Sequence, residues 1–191
     1  MTVRLRPGET ALFIATAAVV AALVHLIVVL FMPAVATRDA FARLAPLGVV
    51  DETVPLPRAS PGERSFPYAD PAVAWAFCRY DLGSGPIRVT APVGRAFASI
   101  SFHTRRGLVF YALTDKAATH GVIDAVLATP EGVRVLEAHD DVEDPSHDLR
   151  IAAPAPEGYV VTRVFSELPS LYPEAEAQAK RLVCKPEPIS H

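Results

Sequence analysis

The chain has 191 residues and a formal net charge of −3 at pH 7, with 18 Lys and Arg against 21 Asp and Glu. No basic face emerges from that balance, so nucleic acid is excluded as an expected partner. Eighteen prolines argue against a helical bundle, and the mean hydropathy of +0.27 owes much to one amino-terminal segment.

That segment is Ala11 to Met32, which carries no Asp, Glu, Lys or Arg. As a helix it would reach about 33 Å, enough to cross a hydrocarbon core of about 30 Å. A secretory h-region is shorter, about 7–15 residues, so the length predicts a retained anchor. Ala34-Val35-Ala36 has the small-x-small form of a cleavage site, but Pro33 and the over-long run disfavour cutting. Residues 1–10 read as a cytoplasmic tail, because a short tail before a first apolar segment usually stays inside. Everything past Pro33 is then outside. The expected address is a bacterial inner membrane, single-pass, with a periplasmic domain.

Ala11, Ala15, Ala18, Ala22 and His25 follow one another at steps of four, three, four and three, which puts them on one helix face. Small residues let a second helix approach, and a polar side chain in lipid prefers a protein neighbour. The face predicts a membrane-protein partner in addition to the bilayer. The plainer reading is that alanine is common in anchors and a neutral imidazole is tolerated there.

Residues 33–50 predict a membrane-proximal helix capped by Thr37, with Phe41, Leu44 and Ala45 on one side. Residues 51–71 are proline-rich and read as an extended linker or strap across the domain. From Ala72 the pattern becomes strand-like, and 72–191 is expected to be one β-rich domain. "VAWAFCRY" ends at a turn, "DLGSGP", which the Asp81 side chain can fix. "FASISFHT" puts Ala98, Ile100 and Phe102 on one face and Ser99, Ser101 and His103 on the other. "RRG" predicts a tight hairpin connection. "LVFYALTD" is apolar on both faces and predicts a central strand. "VIDAVLA", "LRIAAP" and "GYVVTRVFSE" are further strands. "TPEGVRVLEAH" favours a short helix, with Thr129 as cap and Pro130 at the first position. "SLYPEAEAQAKRLVC" predicts a closing helix with Leu171, Ala175, Ala179 and Leu182 inward. Many short strands separated by turns point to a mainly β fold, an antiparallel sandwich with peripheral helices.

Cys78 and Cys184 both fall on the outer side, where two cysteines commonly bridge. The alternative is a buried Cys78 and a loosely held Cys184. The segment "EAHDDVEDPSHD" gathers His139, Asp140, Asp141, Asp144 and His147. Such a set can bind a cation, but the spacing fits no defined loop, and a solvated acidic loop is the simpler reading. His103 and His120 are further candidates for a metal-dependent enzyme. Trp75, Phe77, Phe102, Phe110 and Tyr111 are candidates for lining a lipid or glycan pocket, or for plain core. Arg79 and Arg163 read as strand-edge charges or as a ligand clamp. No phosphate loop, dinucleotide fingerprint or nucleophile elbow is present, so no catalytic residue is assigned and no cofactor is expected.

At "CRYDLGSGPIRV" and "APEGYVVTRVF", followed by a terminal cysteine, the chain resembles the bacterial family catalogued as domain of unknown function 1254, in a short membrane-anchored form. The likeness runs from about Asp70 to Cys184. It implies a jelly-roll-like antiparallel sandwich and a companion protein carrying a sister domain. It brings no settled activity. Cys78, Arg79, Tyr80, Asp81, Gly85, Pro86, Gly158 and Arg163 are carried over as motif positions only. The expectation that follows is a non-catalytic subunit of a membrane complex, with a small-ligand binding module and a metal-dependent enzyme as alternatives.

Overall fold

The computed structural model describes residues 7–35, 39–60, 66, 69–139 and 148–187. The chain forms two compact units, residues 1–38 and 39–191. The first holds helix α1, Pro7–Val35, whose apolar stretch Pro7–Met32 is long enough to cross a membrane, with a mean hydropathy of 2.7. The helix continues past Pro33. Ala11, Ala15, Ala18, Ala22 and His25 are all exposed on it.

The second unit opens with α2, Ala40–Leu44. Its cap is Asp39, whose carboxylate accepts from the Ala42 N–H at 2.8 Å, so the cap lies two residues beyond the expected Thr37. The strap that follows contains a short strand, β1, Thr53–Pro55. The remaining elements are β2 (Val73–Asp81), β3 (Ile87–Pro92), β4 (Ala98–Thr104), β5 (Val109–Thr114), β6 (Val122–Ala128), α3 (Pro130–Ala138), β7 (Leu149–Ala152), β8 (Glu157–Phe165), α4 (Tyr172–Ala179) and β9 (Val183–Pro186).

The strands make two sheets, one in the order β1-β2-β8-β4-β5 and one in the order β7-β6-β3-β9. All pairs are antiparallel except β6 with β7, which is parallel. A hairpin cannot join parallel neighbours, and here α3 makes the connection. Thr129 caps it, accepting from the Gly132 N–H at 3.0 Å, with Pro130 at the first position.

One face of the larger sheet meets the smaller sheet in a shared apolar cluster. Cys78, Tyr80, Ile100, Phe102 and Val160 pack with Ile87, Val89, Ile123, Ala125, Leu127 and Ile151. Farther along the same face, Ala74, Ala76, Ala98 and Val164 pack under α4 through Tyr172, Ala175 and Ala179. The alternation that the sequence shows in β3, buried at every second residue, is the period-2 pattern of a sheet with one covered face. The opposite face of the larger sheet is covered by α2 and the strap: Phe77, Tyr159 and Val161 are buried with Leu44, and Phe41, Val54, Leu56, Phe66 and Trp75 pack around them.

Cys78 on β2 and Cys184 on β9 form a disulfide across 106 residues of sequence. It ties the larger sheet to the smaller one from inside the shared core, since both cysteines are buried. No cysteine is free.

Two further expectations need correction. β5 is an edge strand, not a central one, and Leu108, Val109 and Tyr111 stay 66%, 49% and 37% exposed. Apolar residues on both faces are equally compatible with a buried strand and with one waiting for cover. The closing helix stops at Ala179, and the chain turns into β9, because Cys184 is held in the core. Ala175, Ala179 and Leu182 are inward, but Leu171 is exposed. Ser101 and His103 lie on the face opposite Ile100 and Phe102, as expected, and are only 4% and 7% exposed there.

Candidate functional site

The covered outer face of the larger sheet holds the densest polar constellation among the described residues outside the surface ion pairs. Its side chains come from three strands that lie side by side. On β4, Ser99, Ser101 and His103 share the face by alternation. On β8 it is Tyr159, Val161 and Arg163, and on β2 it is Trp75, Phe77 and Arg79. The register aligns them in rows. Trp75 pairs with Arg163, which pairs with Ser99, and Ser99 pairs with Thr114 of β5. Two residues along, Phe77 pairs with Val161 and Val161 with Ser101; four residues along, Arg79 pairs with Tyr159 and Tyr159 with His103.

Arg163 Nη1 donates to Ser101 Oγ at 2.8 Å. Ser101 Oγ lies 2.9 Å from His103 Nε2 and 3.5 Å from the Val161 carbonyl. With one lone pair taken by Arg163, the serine proton goes to the nearer acceptor. We therefore assign His103 Nε2 as acceptor and Nδ1 as the protonated nitrogen, facing the Gly107 carbonyl at 3.5 Å. The imidazole stacks on Tyr159, with centroids 4.6 Å apart and rings 10° from parallel. Burial lowers the His103 pKa from its ordinary 6.5, and Arg163 lowers it further; the Gly107 carbonyl works the other way. Burial likewise pulls the Arg163 guanidinium below its ordinary value. The positive charge of Arg163 rests over the Trp75 ring, 4.7 Å from its centroid, a favourable placement for a partly desolvated cation.

A serine hydroxyl bonded to an imidazole is half of a nucleophile–base relay. Here the same oxygen also accepts from Arg163 and is buried, which leaves no approach for a carbonyl carbon. The arrangement is built to hold its own donors and acceptors in place.

The motif residues have structural work nearby. Tyr80 reaches across and donates to the His103 carbonyl at 2.9 Å. Gly158 lies where a Cβ would collide with both the Tyr80 hydroxyl and the His103 carbonyl. Asp81 accepts from the Gly83 N–H at 2.9 Å and fixes the turn after β2, as expected. Gly85 in that turn has φ +130, which strains any side chain. The Pro86 carbonyl accepts from the Glu187 N–H at 2.8 Å. Arg79 is not a free strand-edge charge: its Nη2 donates to the Gly48 carbonyl at 2.9 Å.

The other candidates disperse. Asp140, Asp141, Asp144 and His147 lie outside the described residues. His139 ends α3, with Nδ1 2.8 Å from the Val135 carbonyl. Among the described residues no three His, Cys, Asp or Glu side chains group as a metal would require, and His103 and His120 share no bond. The five aromatic residues do not line one pocket. Phe102 meets the rings of Phe110 and Tyr111 where β4 pairs with β5, while Trp75 and Phe77 lie on the opposite face of the sheet.

Two features escaped sequence reading. One is the Trp75–Arg163–Ser101 assembly, whose parts are far apart in sequence. The other is Arg88 on β3, which binds Asp124 at 3.0 Å, Asp148 at 2.8 Å and Glu187 at 2.9 Å and so clamps the outer side of the smaller sheet. Its only sequence signal is an outward arginine in an alternating strand, which many proteins have.

Two solved structures are similar in part. One is the crystal structure of the VPA0106 protein from Vibrio parahaemolyticus, 10% identical, covering 65% of this chain and 33% of its own, with a TM-score of 0.48. The other is an uncharacterised protein from Burkholderia cenocepacia, 16% identical, covering 78% of this chain and 43% of its own, with a TM-score of 0.45. This chain thus spans less than half the length of either. No curated protein matches it. The family model described as "Protein of unknown function (DUF1254)" matches residues 50–186, and the chain belongs to that family.

Proposed function

We propose that this is a single-pass protein of the bacterial inner membrane, amino terminus in the cytoplasm, whose two-sheet domain works in the periplasm as a non-catalytic subunit of a membrane complex. On this reading the two sheets form a jelly-roll-like sandwich that carries a partner's domain. The observation that carries the proposal is β5. It ends the larger sheet, no described strand pairs with its outer edge, and it leaves Val109 and Tyr111 exposed. An edge with open main-chain groups and apolar side chains is a natural docking site for another chain. The apolar length of α1 supports the anchor. The buried disulfide suits an oxidising compartment. The Ala11–Ala15–Ala18–Ala22–His25 face offers a second contact, inside the bilayer.

The test is native mass spectrometry of the full chain purified gently from its own membranes. A second polypeptide at fixed stoichiometry is expected. Val109→Lys with Tyr111→Lys should release it, and Ala15, Ala18 and Ala22 changed to leucine should loosen it. A wild-type protein that flies alone refutes the proposal.

A further inference from the structure

We infer that the outer face of the larger sheet carries a binding site for an oxyanion, a phosphate or carboxylate group, centred on Arg163. This is independent of any partner on β5.

Three observations lead there. First, Arg163 is half-buried and has no ion-pair partner among the described residues. Its one protein hydrogen bond goes to a neutral hydroxyl, Ser101 Oγ. Partly buried arginines are normally matched by a carboxylate, because desolvating an unpaired charge costs several kcal/mol. Arg88 in the same domain has three such partners. Burial already shifts the Arg163 equilibrium against its charge, which is the signature of a cation lacking its counter-charge.

Second, the neighbours are donors. Among the described residues the buried Trp75 Nε1–H has no partner, and the guanidinium lies over the indole ring. Ser99 and Thr114 continue the row on the other side of Arg163, and both present hydroxyls on this face. A row of indole, guanidinium and two hydroxyls, with no carboxylate in it, is complementary to an acceptor-rich anion. A planar guanidinium can meet two oxygens of one oxyanion at once.

Third, the row adjoins apolar surface. Phe165 lies two residues beyond Arg163 on the same strand face and is 39% exposed. An oxyanion attached to an apolar body would find a place for both parts.

The chemistry is the same whether the oxyanion is free or a lipid headgroup, and the experiment separates the two. Trp75 is the only tryptophan, so its emission reads the site directly. The full chain in neutral maltoside micelles is titrated with inorganic phosphate, with sodium chloride at matched ionic strength, and with vesicles of phosphatidylcholine with or without phosphatidylglycerol. A saturable change with phosphate, absent with chloride, identifies a free-anion site. A change only with vesicles containing phosphatidylglycerol identifies a lipid headgroup. Losing one charged hydrogen-bond partner should weaken binding about tenfold or more in Arg163→Gln. If that variant does not fold, Ser99→Ala decides; it should weaken binding severalfold while leaving the fold intact. No saturable change in the wild-type chain with any probe, an equal response to chloride, or variants that titrate like the wild type would overturn the inference.

Discussion

The replacement of Gly158 by alanine is a strict test of the packing described above. Gly158 lies on β8 opposite Tyr80 on one side and Thr104 on the other. A Cβ there would strike the His103 carbonyl and the Tyr80 hydroxyl together. Those two atoms are the partners of a buried hydrogen bond, 2.9 Å long. One of them is backbone in the middle of a sheet, so it cannot swing aside. Overpacking of a core costs about 1–3 kcal/mol, and separating a buried donor from its acceptor costs about 1–3 kcal/mol more. We expect a loss of roughly 3–5 kcal/mol, or about 6–20 °C in Tm for a domain of this size. Urea unfolding of the full chain in detergent, followed by Trp75 emission, measures it. Tyr80→Phe in the Gly158→Ala background removes one of the two obstructing atoms and should recover part of the loss. A Gly158→Ala variant within about 1 kcal/mol of wild type would refute the reasoning, since it would mean that backbone and phenol shift together at little cost.

Stability should also depend on pH through His103. Its folded pKa lies below the ordinary 6.5, so above that pH both states are neutral and the residue contributes nothing to the slope. As pH falls below about 6.5 the unfolded chain takes up the proton first, and stability drops by up to about 1.4 kcal/mol per pH unit until the folded pKa is reached. Urea midpoints from pH 8 to 5 should fall less steeply in His103→Gln; an unchanged slope would remove His103 as the cause. Opening the Cys78–Cys184 bridge frees a loop of 106 residues and should cost about 2–4 kcal/mol. Paired Cys78→Ala and Cys184→Ala substitutions, compared with wild type under non-reducing conditions, measure this, and equal midpoints would mean that the bridge does not stabilise the domain.

Much of the fold was legible locally. The turn at "DLGSGP" is set by one aspartate and by a glycine at positive φ. The Thr129–Pro130 helix start is set by a side-chain cap and a fixed proline φ. Strand alternation in β4 correctly put Ala98, Ile100 and Phe102 on one face, which packs against α4 and the smaller sheet, because the period-2 geometry of a strand is a local property. It also put Ser101 and His103 together on the opposite face, but carried no signal that both would be buried there. β5 was misread: its apolar residues suggested burial, while its place at the sheet edge leaves Val109 and Tyr111 exposed.

The sequence by itself determined the apolar length of the first helix, the positions of most strands and turns, and the resemblance to a family, because each depends on residues within a few positions of one another. Only the tertiary structure decided which strand lies at the edge, that Cys78 meets Cys184 between the two sheets, and that Trp75, Arg163 and Ser101 stand together. Those outcomes depend on pairing register between distant strands. A side chain's neighbours across a sheet are fixed by which strands pair, and no local pattern of residues encodes that choice.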